Sequence, residues 1–400
     1  MIAALNRFFG EGFRVFFLAA GLYAVFTMIV WEGWLGIHAA GGMVTKMPFA
    51  AAPHLWHAHE MIFGYATAAL GGFFLTAVPS WTGARAARHL FIIAVVALWL
   101  VGRVAVWASG SLPAGWVALA ELAFLPVLGA QIALQLIKRP KPQNMMFLLV
   151  LALIWVADLL VQAEWIGWSW GNTWAGLRAG LLGVVAMIAV LGGRITPAFT
   201  RNAMVRMGFE DRQPISHQPL EIAAIASAIA LPAAYLLGLP EKLIAVLAIV
   251  AGAAALARLA GWRGVWARSF PILWSMHLAF AMLGLGYLAL GLAAFDVGSE
   301  VAALHLLGIG AAGGMTLAVM SRASLGHTGR PLIVPGLMVP AFPLVALAAA
   351  LRWAGSVWPE VYYPTVLAAG VIWIIAFTLY LATMGPVLLG PRLPRTPPGI

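Results

Sequence analysis

Residues 56–83 read WHAHEMIFGYATAALGGFFLTAVPSWTG. Two histidines and a glutamate stand at the mouth of a long apolar run, with His54 just upstream. From Met61 to Val78 no charged residue occurs, and about 20 such residues are enough to cross a bilayer as a helix. The stretch therefore reads as a membrane span that carries ionisable groups into the hydrocarbon. Such groups are costly there and imply a function.

The rest of the chain agrees. Of its 400 residues 63% are hydrophobic and 9% charged, with a mean hydropathy of +0.96; a soluble domain carries roughly 25% charged residues. Twelve apolar runs appear, at about 13–35, 57–80, 89–108, 114–137, 144–163, 174–193, 219–238, 240–258, 270–294, 300–321, 332–352 and 361–385. Backbone groups in lipid must be paired internally, and the alternation of barrel strands is absent, so the runs predict helices. The expected fold is an all-α polytopic membrane protein of twelve transmembrane helices, with residues 1–400 forming one transmembrane domain.

Charge predicts the orientation. Of the 23 Lys and Arg residues, all but Lys46, Arg103, Arg178, Lys242 and Arg352 fall on one side, Arg7 at one end of the chain and Arg395 at the other among them. The excess of basic residues on that side places it, with both termini, in the cytoplasm. The net charge of +10 is then a face against anionic lipid and implies no nucleic acid. The chain has no cysteine, which excludes disulfides, Cys-held iron–sulfur clusters and thiolate metal sites. Metal binding is left to His, Met, carboxylate or backbone oxygen.

An echo recurs in LTAVPSWTG (75–83), GRITPAFTR (193–201) and SRASLGHTG (321–329), which align Thr82, Thr200 and Thr328. The spacing corresponds to four helices. It suggests three repeats, roughly 1–140, 141–260 and 261–400, or three unrelated helix stops. Twelve helices in threes of four resemble the haem–copper oxidases, an analogy of fold alone.

Few ionisable groups lie inside the runs. His57, His59 and Glu60 open the second, Glu121 and Asp158 lie in the fourth and fifth, and His277 and His305 in the ninth and tenth. At 1.5 Å per residue, His277 and His305 differ in depth by about 10 Å and could face one planar group from two sides, or serve two centres. His57 and His59 point about 200° apart on a helix and so serve different centres. Glu60 and Met61 should share the face of His57, with Glu60 as proton donor or partner to a ligand imidazole. The candidate metal ligands are His57, His59, His277 and His305. Gly64, Gly71, Gly72, Gly308, Gly310, Gly313 and Gly314 fit either a slot for a flat ring or close helix packing. Arg194, Arg322 and Arg330 either mark the basic side or pair with haem propionates.

The blocks WHAHEMIFGYATAALGGFFLTAVPSWTG (56–83), GGRITPAFTRN (192–202) and MSRASLGHTGR (320–330) resemble the signature blocks of the NnrS family. FRVFFLAAGL (13–22) resembles its opening block, with Val15 where the family has proline. The resemblance covers nearly all of the chain. It implies a cytoplasmic-membrane protein that carries haem (here haem b) and copper, and a link to nitric oxide and nitrosative stress. His57, His59, Glu60, Arg194 and His327 are the positions that it carries over. A His-held haem beside copper, or beside non-haem iron, would bind nitric oxide and reduce it to nitrous oxide, with Glu60 as the catalytic acid. Sensing or sequestration of nitric oxide, and proton- or metal-coupled transport, are the competing readings. The partners expected are nitric oxide, membrane lipid and an electron donor, with homo-oligomerisation left open.

Overall fold

The computed structural model describes residues 2–394; Arg395, counted above with the basic side, lies outside them. Among the described residues twelve helices are long and apolar enough to cross a membrane: α1 Gly12–Ala39, α2 Pro53–Thr82, α3 Leu90–Trp107, α4 Ala114–Leu136, α5 Gln143–Trp165, α6 Thr173–Arg206, α7 Gln218–Leu236, α8 Glu241–Ala260, α9 Pro271–Ala293, α10 Glu300–His327, α11 Gly336–Val357 and α12 Pro359–Leu389. No strand occurs among them. The protein is an all-helical integral membrane protein.

Several spans outrun the apolar stretches that predict them, because the backbone ends a helix where its caps are. Asn172 starts α6 by accepting from the Ala175 amide at 2.9 Å, and Ser299 starts α10 by accepting from Ala302. Gly83 stops α2 in the left-handed region, at φ 66°.

Consecutive helices pack side by side, and α12 closes the ring on α1. Three helices, α2, α6 and α10, meet one another inside. The apolar windows of α2 and α6 are 78% and 83% buried, against 33–56% for the other spans, so these two are the most enclosed. Leu100, Val101 and Val104 of α3 are exposed, as a lipid-facing stripe requires.

Proline breaks in this ladder are repaired by name. Pro126 cannot donate to Leu122, four residues earlier, and α4 is interrupted at Ala123. Trp155 Nε1 donates instead to the freed Leu122 carbonyl at 3.0 Å. Pro197 frees the Gly193 carbonyl in the same way, and Arg258 donates to it at 3.1 Å. In hydrocarbon no water could do this.

Two spans are wound as π-helix for part of their length: α2 over Glu60–Ala66 and α10 over Leu306–Gly313. The two segments begin 246 residues apart, the same separation as Thr82 and Thr328. The hydroxyl groups of Tyr65 and Thr316 bond across between the two helices. Wide turns of this kind concentrate at functional sites.

The ring is locked at its closing seam. Arg14 of α1 is fully buried and donates to the last carbonyls of α12, to Leu388 at 2.6 Å and Gly390 at 2.8 Å. It is one of the basic residues read above as marking a solvated face; here it serves as a cap. Charged hydrogen bonds contribute about 1.5–3 kcal/mol each. Arg14→Ala should therefore lower the thermal midpoint of the detergent-solubilised protein clearly, and Arg14→Lys, which keeps the charge but has no second nitrogen for the bond that Arg14 Nε gives Glu11 at 2.6 Å, should recover only part of the loss.

Candidate functional site

The first turns of α2, just before its π segment, divide two compartments. His59 faces one and His57 the other, as their two-residue spacing dictates.

On the His59 side lies a closed polar cluster. His59 and Glu60 are fully buried, and Asp158, Arg103 and Glu121 are 2%, 4% and 5% exposed. His59 Nδ1 donates to Glu60 Oε1 at 2.7 Å. Arg103 of α3 donates to the same oxygen at 2.6 Å and pairs with Glu121 of α4 through its other nitrogen. Tyr23 of α1 donates to Glu60 Oε2. Beyond His59 Nε2 stand Gln162 Nε2 at 3.1 Å, Asp158 Oδ1 at 3.2 Å and Glu121 Oε1 at 4.0 Å. Gly64 makes room for the clamp: a Cβ there would lie 2.9 Å from Arg103 Nη1. One donor atom each from His59, Glu121 and Asp158 falls within 4.8 Å of the others, a grouping that could hold a metal ion.

Three carboxylates against one guanidinium leave this cluster with an excess of two negative charges when His59 is neutral. Burial without compensation would be prohibitive, so the cluster holds together only as a unit.

On the His57 side a cavity of about 330 Å³ opens between α2, α6 and α10, with α1, α11 and α12 adding to its lining. Cofactor pockets span about 300–1,000 Å³. Its α2 wall is His54, His57, Ala58, Met61, Ile62, Tyr65 and Ala66, one helical face read every three or four residues. His57 stacks on Trp31, with ring centroids 4.9 Å apart, and its Nδ1 is buried with no hydrogen-bond partner. Across the cavity His305 Nδ1 lies 2.7 Å from the Val301 carbonyl. A carbonyl only accepts, so the proton sits on Nδ1 and Nε2 keeps its lone pair. Ligand histidines are oriented in this way.

The family of the chain follows from its sequence over this same architecture. A model of the NnrS protein family matches residues 7–392. The chain belongs to the NnrS family. No curated protein matches it.

Within this NnrS chain the expected site residues separate into groups. His57 and His305 share the cavity, and His59 heads the cluster. Glu60 does not share the face of His57, as helical spacing suggested; Arg103, Tyr23 and His59 draw it into the cluster, and Met61 alone of that pair lines the cavity. Glu60 is therefore placed to orient His59 and not to give a proton to a ligand in the cavity.

His277 does not oppose His305 across one planar group. Its Nδ1 lies 3.0 Å from the Leu273 carbonyl and its Nε2 3.2 Å from that of Trp262, so both nitrogens face backbone oxygens. His327 packs on Phe13 with centroids 5.4 Å apart, at the end of the bundle where α1 begins and α12 ends. Arg194 donates to the Gln143 carbonyl at 2.9 Å, Arg322 lies 3.9 Å over the Phe199 ring, and Arg330 donates to Pro391. None of these four lines the cavity. The arginines that do are Arg178, which pairs with Glu300 at 2.6 and 2.7 Å, and Arg352. Of the seven glycines above, Gly308 alone lines the cavity. Gly310, Gly313 and Gly314 press on Met282, Trp373 and Ala279, as close packing predicts.

Arg103 was set aside in the sequence as one of five basic residues away from the basic face. Its isolation in an apolar run, in a chain with Glu121 and Asp158 in neighbouring runs, is the signal that joins it to them. Removing one partner of a buried ionic group costs about 3–5 kcal/mol. Arg103→Ala should thus sharply reduce the yield of folded, monodisperse protein and its thermal midpoint. The double change Arg103→Met with Glu121→Gln, which removes opposite charges together, should recover much of the loss.

Proposed function

We propose that this protein is a membrane haem protein that binds nitric oxide, with the haem seated in the cavity between α2, α6 and α10. The observation that carries this reading is the pair of imidazoles, His57 and His305, on facing helices of an otherwise largely apolar chamber: His57 Nδ1 has no hydrogen-bond partner among the described residues, and the bond of His305 Nδ1 to Val301 leaves Nε2 for a ligand.

The residues fit a flat, greasy ligand with two acidic arms. Gly308 opens onto the chamber, where a Cβ would meet only Leu181 Cδ1, at 3.8 Å. Ala58, Ala66 and Ala312 continue the thin wall. Arg352 lines the chamber, and so does Arg178, paired with Glu300; propionates would need such cations. His305 is the axial ligand that the geometry favours, because the Val301 carbonyl fixes its tautomer and direction. His57, held by the Trp31 stack, faces the same space as a second ligand or as the group beside a bound gas. Bound haem supplies an iron that takes up nitric oxide and exchanges electrons, at a potential tuned by axial ligand and burial.

Nitric oxide is small and apolar and partitions into lipid, so a chamber walled by membrane helices needs no aqueous entrance. Copper, the other metal expected of the family, finds its preferred donors here as well, in imidazole nitrogen and the Met61 thioether. With the basic end of the bundle in the cytoplasm of a bacterial inner membrane, the chamber and the polar cluster lie in the outer half. The common register of the two π turns, and the meeting of α2, α6 and α10, support three repeats of four helices.

Purified protein should show a Soret band that shifts on anaerobic addition of nitric oxide. His305→Ala should abolish that band, His57→Ala should shift or weaken it, and His59→Ala should retain it. Stoichiometric nitrous oxide would establish turnover, and a stable nitrosyl spectrum would establish binding alone. A colourless protein from haem-replete cells would overturn the reading.

A further inference from the structure

The polar cluster on the other face of α2 poses a separate question: what lies between its acceptors? Glu60 Oε1, which already accepts from Arg103, accepts the hydrogen bond of His59 Nδ1–H at 2.7 Å and so keeps the proton on that nitrogen. The remaining nitrogen, Nε2, then carries a lone pair. It points at Asp158 Oδ1, another acceptor, at 3.2 Å, with Glu121 Oε1 at 4.0 Å. Two acceptors at that distance repel unless a cation or a proton joins them. Gln162, at 3.1 Å, can present its N–H to the same nitrogen or, turned over, its oxygen to a neighbouring ion. A carboxylate behind an imidazole whose far nitrogen faces further carboxylates is the arrangement that surrounds a bound metal.

We infer that His59, Glu121 and Asp158 bind one divalent cation, distinct from any group in the cavity, with Glu60 as the residue that positions His59 and Arg103 as the fixed counter-charge. Two lines of reasoning select the ion. The first is charge: three carboxylates and one guanidinium leave two negative charges, which one divalent ion neutralises in a single binding event, where proton uptake would need two. The second is donor chemistry. The site offers one imidazole nitrogen and carboxylate oxygens, the chain has no cysteine, and the nearest thioether, Met61, accepts from Thr27 at 3.1 Å and lines the cavity. Oxygen-rich sets with one imidazole suit iron(II), manganese(II) or zinc(II), while copper is better served by the imidazoles and thioether of the chamber.

This inference does not rest on the haem reading, and the test separates the two. Full-length protein is purified in detergent without chelators, its metals are quantified, and Mn²⁺ is then titrated into chelator-stripped protein with electron paramagnetic resonance as readout. About one equivalent of iron, manganese or zinc is expected beyond any haem iron. Asp158→Asn and Glu121→Gln should each weaken Mn²⁺ binding at least tenfold, and Glu60→Gln about 10- to 100-fold, the usual effect of losing an orienting partner. His305→Ala should leave it within twofold. A sign test guards against misfolded variants: with chelator present Asp158→Asn should raise the thermal midpoint, because it relieves unpaired charge, and with Mn²⁺ present it should lower the midpoint relative to wild type. Copper lost from these variants, equal Mn²⁺ binding by wild type and both carboxylate variants, or a higher midpoint for Asp158→Asn in both conditions (the mark of a protonated imidazole alone) would each overturn it.

Discussion

A carboxylate in hydrocarbon has no water to turn to, and this chain buries three of them around one imidazole. Everything near α2 follows from that constraint. Arg103 must leave an otherwise apolar α3 to face Glu60 and Glu121, and Tyr23 must turn its hydroxyl inward from α1. Gly64 must lack a side chain so that they can approach. The same scarcity of water governs the backbone. Carbonyls freed by Pro126 and Pro197 are answered by Trp155 and Arg258, and those that end α12 are answered by Arg14. Net contributions of such bonds are modest, but a buried group left unpaired costs more than a made bond gains.

The winding of α2 decides what each histidine can serve. Two residues of helix turn a side chain through about 200°, so one turn presents His57 to a chamber and His59 to a polar knot. From Glu60 the helix widens into π-helix, and α10 does the same from Leu306, just after His305. In α2 and α10 alike a histidine thus sits at the last ordinary turn before the backbone loosens. The wide turns leave carbonyls with slack hydrogen bonds, and Thr67 and Thr316 turn their hydroxyls back to the helix to meet them.

Much of this was legible in the sequence. Twelve spans followed from hydrophobic run length, and the opposed histidines from a spacing of two. The long-range partners were not. Arg103 looks like a stray basic residue until α3 packs beside α2, and no spacing within one helix shows that it bridges Glu60 to Glu121. Glu60 itself was assigned to the wrong face, because on a helix it lies within reach of both His57 and His59, and only Arg103 and Tyr23 decide between them. His277 shows the converse. A lone imidazole in a span reads as a ligand, yet two backbone carbonyls are enough to occupy it. The helix ends outran their apolar runs because caps such as Asn172 and Gly83, and not hydropathy, fix where a helix stops.

The two compartments differ in what they exclude, and that difference gives the arrangement its chemical sense. The chamber is mostly apolar, so an uncharged gas enters it at little cost while an ion pays its full desolvation. The cluster does the reverse: its carboxylates repel electrons and anions and favour cations. A redox centre beside it would therefore feel a field set by how well those carboxylates are neutralised, over a path no longer than one helix turn from His57 to His59. Charge at the cluster and electron density in the chamber are then linked through a low-dielectric wall, where Coulomb interactions are several times stronger than in water. A single span that carries HAH, with a glutamate to hold the second imidazole, is the shortest piece of chain able to build both sides of that wall.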